Sequence, residues 1–321
     1  IVPICLALGY DSIVGVAIPL VGAHVGFASA FLNPFNVGIA QGIAEVPLFS
    51  GIGYRIISWA ISTAVAILFL LWYVNRLSKN PKISPTYLQD EERRKNEHFD
   101  DVYNQENHFT VRHKAVLITF ALCLVMIVVG VIELGWYIEE ISAAFFIMGV
   151  VVGIIGGLKV DEFTKGFIDG AKDLVGTALI VALARATLVI SRDGQIIDTV
   201  LHNLSPYIQS SSPVFASQKM FVVQAIINFF VHSGSGQAAL TMPIMAPLAD
   251  LAGVTRQTAI LAFQFGEYTN IIIPTSAVTM GALSMAKVPW EKWAKWVLPL
   301  MVILFVLGFI LLIPPNLMGW Q

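Results

Sequence analysis

The residues best suited to bind a small polar ligand lie where apolar segments are interrupted. The longest interruption is His232-Ser233-Gly234-Ser235-Gly236-Gln237, and the 30 residues between Lys219 and Asp250 contain no Lys, Arg, Asp or Glu. Two complete membrane spans would need about 40 residues plus a turn. The pattern therefore predicts a re-entrant hairpin, in which two short helices meet at a Gly/Ser tip inside a bilayer. Hydroxyl, amide and imidazole groups at such a tip could bind a carboxylate or a cation.

Two other apolar segments are interrupted by a proline with polar neighbours. The interruptions are Asn33, Pro34 and Asn36 in segment 12–44, and Asn270, Pro274, Thr275 and Ser276 in segment 257–286. Proline lacks a backbone donor and clashes with the preceding turn, so each segment is predicted to be a discontinuous helix. For the first segment the alternative is a simple proline kink, with both Asn side chains bonding between helices.

Helix ends at such breaks suit charged ligands. N-termini favour carboxylates, and free carbonyls at C-termini favour Na⁺. The predicted substrate and ion site therefore combines the hairpin tip with both breaks, with Na⁺ or H⁺ as the coupling ion. Ser233, Ser235 and Thr275 are candidate Na⁺ ligands.

Ionisable residues inside apolar segments are the next candidates. Glu267 is predicted to lie about two helical turns before the second break, where an ionised carboxylate costs about 2.5–3.5 kcal/mol on insertion scales. It could couple an ion or a proton, or pair structurally with Arg185. Arg185, taken as the only fixed positive charge at this depth, could instead neutralise a substrate carboxylate or bond to Asp198. Glu45 is a second possible source of negative charge.

Two histidines lie at comparable places. His232 belongs to the hairpin tip and is predicted to be a site residue. His24 lies in the middle of the first interrupted segment. It could make a polar packing contact or transfer a proton.

The composition fixes the broad class. Hydrophobic residues make up 56% of the chain, charged residues only 12%, and the mean hydropathy is +0.76. Soluble domains carry about 25% charged residues, so the chain is predicted to be a polytopic membrane protein. No basic cluster suggests nucleic acid as a partner, and no catalytic, metal-binding or phosphate-binding motif suggests an enzyme or a cofactor. Cys5 and Cys123 are predicted to be small buried residues.

Charge patterning predicts the spans and their orientation. The predicted spans are 56–74, 115–132, 141–158, 174–190 and 297–313, with an amphipathic surface helix over 159–173. Residues 75–113 carry mixed charges and are predicted to form a solvated, mobile loop. Lys and Arg favour the cytoplasm, which places this linker inside and the loop 133–140 outside.

A short motif occurs twice, in Ile39–Pro47 and Gly281–Pro289. The matched pairs are Ala40/Ala282, Ala44/Ala286, Val46/Val288 and Pro47/Pro289. Each copy follows a predicted break and precedes a long span, and the predicted orientation runs the first outward and the second inward. Inverted repeats with interrupted helices indicate a secondary transporter site. The alternative is a chance match among small residues.

Segments along essentially the whole chain resemble, in order and spacing, the YfcC-type members of the C4-dicarboxylate carrier group. They are Leu8–Ala17, Asn33–Phe35, Gly38–Ala44, Ser50–Gly53, Gly170–Asp173, Leu183–Arg185, Asp193-Gly194, Ile196–Thr199, Phe263–Gly266 and Pro274–Ser276. This group belongs to the ion transporter superfamily, which includes the divalent-anion/sodium symporters.

The resemblance implies a mechanism and an assembly. In those symporters a Ser-Asn-Thr tip of each hairpin and the break of each discontinuous helix form the substrate and sodium sites. Ser233-Gly234-Ser235 stands at that position here, so Gly replaces Asn and one side-chain amide is lost. The resemblance also implies a homodimer, a transport part that moves against a scaffold as an elevator, and an N-terminal part with the first hairpin tip ahead of Ile1.

The expected fold is an all-α polytopic membrane protein, an inverted-repeat secondary transporter with re-entrant hairpins and discontinuous helices. The expected parts are 1–54 (end of the first hairpin and first broken helix), 55–76 (scaffold span), 77–113 (cytoplasmic linker), 114–212 (scaffold spans, amphipathic segments and lead-in), 213–290 (second hairpin and second broken helix) and 291–321 (last span).

The expected function is secondary active transport of a small carboxylated metabolite across a bacterial inner membrane. Family resemblance points to a C4-dicarboxylate, moved by Na⁺ or H⁺ coupling or by exchange. An arginine/ornithine-type antiporter is the alternative, because Glu267 could bind a substrate amine. A channel is the alternative from a different class, but an inverted repeat suits alternating access better.

Overall fold

The computed structural model describes residues 1–96, 110–134, 136, 138–196, 199, 203, 206–208 and 212–320. Within these ranges every regular element is a helix. The α-helices are α1 (Val2–Ala7), α2 (Ser12–Ala28), α3 (Ile39–Ile43), α4 (Ile52–Lys79), α5 (Tyr87–Asn96), α6 (Val111–Glu133), α7 (Ile138–Gly156), α8 (Val160–Asp193), α9 (Pro213–Phe230), α10 (Gly234–Leu251), α11 (Arg256–Gly266), α12 (Ala277–Met285), α13 (Trp290–Leu311) and α14 (Ile313–Met318). A π-helical turn (Pro34–Gly38) and two 3₁₀ turns (Pro81–Ile83 and Glu267–Ile271) complete the set.

Three helical stretches in the described part are long and apolar enough to cross a membrane. They are Ile52–Lys79, Glu139–Gly156 and Trp290–Met318, and Ser12–Ala28 is a shorter apolar helix. The first and third contain the predicted spans 56–74 and 297–313, and the second covers the predicted span 141–158 except for its last two residues. An integral membrane protein is therefore the class that the composition and the helices support together.

The chain divides into two compact units, Ile1–Phe99 with Leu174–Gln321, and Asp100–Asp173. In the second unit, Gly153 of α7 faces the ring of Phe163, since an added Cβ would lie 2.8 Å from that ring. Phe146 and Phe167 pack edge to face with their ring centroids 5.9 Å apart. Helix packing is thus the role of Gly153, as glycine allows close approach between helices.

Both predicted discontinuous helices are interrupted. In the first, α2 ends at Ala28 and the chain resumes helical structure in the π-helical turn and α3. In the second, α11 ends at Gly266 and is separated from α12 by the 3₁₀ turn and residues 272–276. We call residues 29–38 the first break and residues 267–276 the second break. Helices α9 and α10 follow one another with only residues 231–233 between them, and the re-entrant placement of this pair stays a prediction.

Aromatic side chains join α4 to α13 in the first unit. Trp296 packs edge to face on Phe69 and Tyr73, at 5.5 and 5.1 Å between ring centroids. Ser62 of α4 shares a hydrogen bond of 2.7 Å with Tyr268 of the second break. Helix α4 therefore packs against both the last long helix and a broken helix.

Two predictions about local structure are wrong. Residues 159–173 and 174–190 were expected to be separate helices, but they form the single helix α8. No proline interrupts this stretch, and an isolated glycine such as Gly170 is tolerated inside a helix. The linker was expected to be a solvated loop, but residues 80–96 form a 3₁₀ turn and α5 with Thr86 and Asp90 buried. Linker residues 97–109 lie outside the described residues.

The ends of α4 mark two opposite ends of the first unit. At its start, Tyr54 packs on the ring of Trp320 at 5.4 Å and donates a hydrogen bond to Leu311 O. At its end it leads into the 3₁₀ turn and α5. A helix of this length extends about 42 Å, which exceeds the thickness of a bilayer core.

Accessibility labelling tests the topology that follows. With Cys5 and Cys123 replaced, Leu88→Cys on α5 should react only with reagent on the cytoplasmic side, and Leu317→Cys on α14 only with reagent outside. Leu88 is 80% exposed and Leu317 is 76% exposed, so both cysteines should be accessible to the labelling reagent. Labelling of both cysteines from the same side would contradict the orientation, and the cysteine-free parent serves as the control.

Candidate functional site

The hairpin tip and the two breaks meet around the carboxylate of Glu267. Asn36, in the first break, donates a hydrogen bond from Nδ2 to Glu267 Oε2 at 3.0 Å. Gly234, the first residue of α10, lies so close that an added Cβ would be 2.6 Å from Glu267 Oε1. Asn36 and Glu267 are both buried. The structure thus brings together the three interrupted segments that the sequence singled out.

The first break orients Asn36. Asn33 Oδ1 accepts a hydrogen bond from Phe35 N at 2.8 Å, an Asx turn that competes with helical bonding at this point. Asn36 Nδ2 also donates to Phe27 O at 2.9 Å. The same amide group therefore satisfies a carbonyl at the end of α2 and holds the carboxylate of Glu267.

The tip is built as the N-terminus of α10. Ser233 is the N-cap residue, and its hydroxyl accepts a hydrogen bond from Gly236 N at 3.3 Å. Ser235 Oγ lies 3.4 Å from Ser233 Oγ. Because a helix N-terminus carries partial positive charge, the contact of Gly234 with Glu267 places that charge beside the carboxylate. The Na⁺ role of the two serines stays a prediction.

Gln237 anchors the tip inside the hairpin. Its Nε2 donates to both the backbone oxygen and Oε1 of Gln224 in α9, at 2.9 and 2.8 Å. Gln224 Nε2 in turn donates to Thr241 Oγ1 at 3.0 Å. His232 lies between the two helices and is partly exposed. Gln237 therefore has a structural role in addition to its position at the tip.

Glu267 does not lie two turns before the second break, as the sequence predicted, because the break begins at this residue. Glu267 is both the C-cap of α11 and the first residue of the 3₁₀ turn. Thr269 Oγ1 donates back to Gly266 O at 2.9 Å. A threonine hydroxyl that bonds to a nearby carbonyl competes with the helical backbone, which accounts for the early end of α11.

Hydroxyl groups fix the far side of the second break. Thr275 Oγ1 donates to Phe229 O at 2.7 Å and so ties the break to the end of α9. Ser276 is the N-cap of α12 and accepts from Thr279 N at 3.4 Å. Pro274 lies in the turn just before them.

His24 connects α2 to the second break. Its Nε2 lies 3.0 Å from Thr279 Oγ1. The Thr279 hydroxyl donates to Asn270 O, so His24 Nε2 is the donor of the shared bond. The geometry matches the polar packing contact, and a proton-transfer role stays a prediction.

Four buried side-chain oxygens around the tip and the second break accept no hydrogen bond within the described part of the chain. They belong to Asn228, Gln237, Glu267 and Asn270. The amide of Asn228 is fixed in orientation, because its Nδ2 donates to Thr269 Oγ1 at 2.6 Å. Buried acceptors are normally satisfied. Unpaired oxygens that include a carboxylate suit a cation or the three donors of an ammonium group.

A second buried charge, Arg55, was missed because the sequence pattern assigned it to the end of a span. Its Nη1 and Nη2 donate to the Oε1 atoms of Gln264 and Gln257, at 2.5 and 3.0 Å. Its guanidinium lies 5.4 Å from the ring centroid of Trp320. No carboxylate in the described ranges is within ion-pair distance of it. Arg55 is therefore a buried cation in addition to the predicted Arg185.

The sequence feature that indicates the burial of Arg55 is a set of three buried glutamines around it. Gln41 Nε2 lies 3.3 Å from Gln257 Oε1, and Gln264 Nε2 donates to Ala30 O at 2.6 Å. Glutamines are rarely buried without partners, so three of them in apolar helices indicate a polar network. Through Ala30 the Arg55 network reaches the first break.

Other predicted residues fall outside this cluster or cannot be assigned to it. Glu45 is exposed and pairs with Arg256 at 3.1 Å, so it does not supply buried negative charge. Arg185 lies in α8 and Pro34 opens the π-helical turn. The side chains of Arg185 and Pro34 lie outside the described residues, as does Asp198.

A glycine substitution tests the contact at the tip. Gly234→Ala places a Cβ at 2.6 Å from Glu267 Oε1, so the tip or the carboxylate must move, and Gly234→Val adds two further methyl groups. We expect Gly234→Val to lower substrate flux into liposomes at least about tenfold, equivalent to about 1.4 kcal/mol. Gly22→Ala is the control, because nothing lies within 4 Å of its added Cβ. Flux equal to the parent in Gly234→Val, at equal expression, would contradict the proposed contact.

Comparison with known proteins finds a matching family and two relatives of the chain. Residues 1–315 match the family model DcuC, described as C4-dicarboxylate anaerobic carrier. The chain is 40% identical over 333 positions to YfcC of Escherichia coli strain K12, which is provisionally named a basic amino acid antiporter. It is 33% identical over 315 positions to an uncharacterized protein of Haemophilus influenzae.

The alignments cover 100% and 98% of this chain but 65% and 62% of the relatives, so the chain spans just under two thirds of their length. No solved structure matches the chain. Because the family match extends over nearly the whole chain, the protein belongs to the DcuC carrier family.

Proposed function

We propose that the protein is a secondary active transporter of a small amino-bearing carboxylate, an amino acid, whose cationic group binds Glu267. The observation that carries the proposal is the buried Glu267 carboxylate, with one oxygen unpaired among the described residues. No Lys or Arg in those ranges forms an ion pair with it. A buried carboxylate without a cation is costly, and a substrate amine would supply the missing charge.

The helix ends near Glu267 suit the other end of such a substrate. The N-terminus of α10, capped by Ser233, abuts the carboxylate, and the N-terminus of α12, capped by Ser276, follows the second break. N-terminal amides and the helix dipole favour a carboxylate. A zwitterion would place its amine at Glu267 and its carboxylate at a helix N-terminus. The provisional name of the relative YfcC supports a basic amino acid as the substrate.

A C4-dicarboxylate is the second candidate, favoured by the description of the matched family. Two carboxylates would add negative charge beside Glu267, which requires a co-bound cation. The unpaired oxygen of Glu267 would then bind Na⁺, or Glu267 would carry a proton. This candidate therefore predicts dependence on Na⁺ or pH, whereas binding through a substrate amine does not require Na⁺.

Alternating access by an inverted repeat is part of the proposal. Both copies of the repeated motif end a helix in the same way: Glu45 and Lys287 each have φ near 56°. Val46 N bonds to Gln41 O, and Val288 N bonds to Leu283 O, both at 2.9 Å. These are matching Schellman caps with a non-glycine residue in the left-handed region. Two segments that resembled each other only by chance would not need to end in the same cap.

An elevator motion, a homodimer and a place in the bacterial inner membrane complete the proposal. The elevator motion and the homodimer are what the resemblance to the divalent-anion/sodium symporters implies, and the bacterial origin of the relatives favours a bacterial inner membrane. A channel is the competing class. Saturable flux that is accelerated by substrate on the opposite side of the membrane would support a carrier, and flux without either property would support a channel.

A ligand screen distinguishes the candidates. Thermal stability and uptake are measured with succinate, aspartate, arginine and ornithine, with and without Na⁺ and at two pH values. We expect arginine or ornithine to stabilise the protein without Na⁺, by about 2.7 kcal/mol at a hundredfold excess over Kd. This stabilisation should be lost in Glu267→Gln, which keeps the size of the side chain and removes its charge.

Glu291→Gln is the matched control, since Glu291 is exposed at the start of α13. It should retain the response to arginine. Stabilisation by succinate that requires Na⁺, together with no response to basic amino acids, would overturn the first candidate in favour of the second.

A further inference from the structure

Helix α5 is polar by composition, yet one of its faces is buried. Asp90 is only 2% exposed, and Thr86 ahead of the helix is fully buried. Aspartate is almost never buried unless it is paired. The bonds made by this face therefore show what α5 is fastened to.

Asp90 caps the start of α2. Its Oδ2 accepts hydrogen bonds from Ser12 N at 2.9 Å and from Thr86 Oγ1 at 2.7 Å, and its Oδ1 accepts from the Ser12 hydroxyl. Asp11, the N-cap of α2, accepts from Val14 N at 2.8 Å. Two carboxylates thus satisfy two of the free amides of one helix N-terminus, Ser12 N and Val14 N, where negative charge is stabilising.

Donors of α5 cap the end of α12. Arg93 Nη1 donates to Ala286 O at 2.9 Å, and Gln89 Nε2 donates to Lys287 O at 2.6 Å. A positive charge at a helix C-terminus is favourable, because the last carbonyls have no partner within the helix. Within one turn of α5, Asp90 therefore caps the N-terminus of α2 in the first broken helix, and Arg93 caps the C-terminus of α12 in the second.

Arg94 adds a third attachment. Its Nε donates to Leu6 O at 3.2 Å and its Nη2 to Tyr10 O at 2.6 Å, at the end of α1 and in the turn before α2. Each of these contacts joins α5 to α1, α2 or α12. Because this face of α5 lies on the polar ends of these helices, the charges of Asp90 and Arg93 are complementary to the helix dipoles of α2 and α12.

We propose that α5 is a clamp that keeps the ends of both broken helices at a fixed spacing throughout transport, with Asp90 and Arg93 as positioning residues for the Glu267 site. This inference rests on the proposed carrier function. Because α2 leads into the first break and α12 follows the second, the spacing of their ends bears on the spacing of Asn36 and Glu267. Such a clamp moves with the broken helices and does not open during the cycle.

Cross-linking tests whether α5 stays attached. Gln89→Cys and Lys287→Cys are combined, with Cys5 and Cys123 replaced, and joined by a bis-maleimide that contains a reducible bond. We expect the cross-linked protein to transport at a rate within about twofold of the reduced protein, a change below about 0.5 kcal/mol. Loss of transport on cross-linking, restored by reduction, would show that α5 must separate and would overturn the proposal. Each single-cysteine variant, treated in the same way, is the control.

A charge substitution tests the positioning role. Asp90→Asn should reduce the thermal shift caused by substrate and lower the flux at least about tenfold, whereas Glu92→Gln, an exposed acid on the same helix, should not. Hydrogen exchange gives a readout independent of transport, because the amides of residues 12–14 should lose protection in Asp90→Asn only. Unchanged exchange, or equal behaviour of the two variants, would overturn the proposal. A parent that transports none of the test substrates would count against the proposed function and leave the exchange result to decide on the clamp.

Discussion

The structure depends on how interrupted helices satisfy their free backbone groups where water is scarce. A helix that stops within a membrane leaves carbonyls without partners, and each unsatisfied group is costly. Here side chains provide the donors. Within the first broken helix, Asn36 bonds to Phe27 O. From other segments, Gln264 of α11 bonds to Ala30 O and Trp293 of α13 bonds to Ile271 O at 2.8 Å. Each break therefore receives a bond from another segment, and the bond from Gln264 joins the first break to the second broken helix.

The same requirement explains why Glu267 can remain buried. Its carboxylate receives one hydrogen bond from Asn36 and lies against the first residue of α10, so an amide and a helix dipole offset part of the charge. They do not neutralise it, since both are only partial charges. A bound cation or ammonium group would complete the compensation, and its departure would leave the carboxylate less stable. A carrier can use this difference in stability to favour movement of the site with its ligand bound over movement of the empty site.

The sequence predicted the parts of this site that depend on local rules. Asn33, Pro34 and the Gly/Ser tip interrupt apolar segments, and interruptions follow from backbone chemistry that any such segment obeys. Prediction from the sequence failed where contacts between distant segments determine the environment of a residue. Arg55 looked like the end of a span because its two glutamine partners, Gln257 and Gln264, are far away along the chain. The charges around Asp90 looked solvated for the same reason, since their partners are helix ends, which no composition reveals.

The two matching helix caps have the same local structure but different tertiary contacts. Ala44 and Ala286 occupy matching positions, and an arginine donates to each of their carbonyls, at 2.8 and 2.9 Å. The arginines come from unrelated places. Arg256 opens α11, which is itself a broken helix, whereas Arg93 belongs to the linker helix α5. The end of α3 is therefore closed by a residue of the other broken helix, while the end of α12 is closed by a residue of the linker helix. Two helix ends with the same local structure thus depend on different tertiary partners, and a change in α5 would release the end of α12 without touching the end of α3.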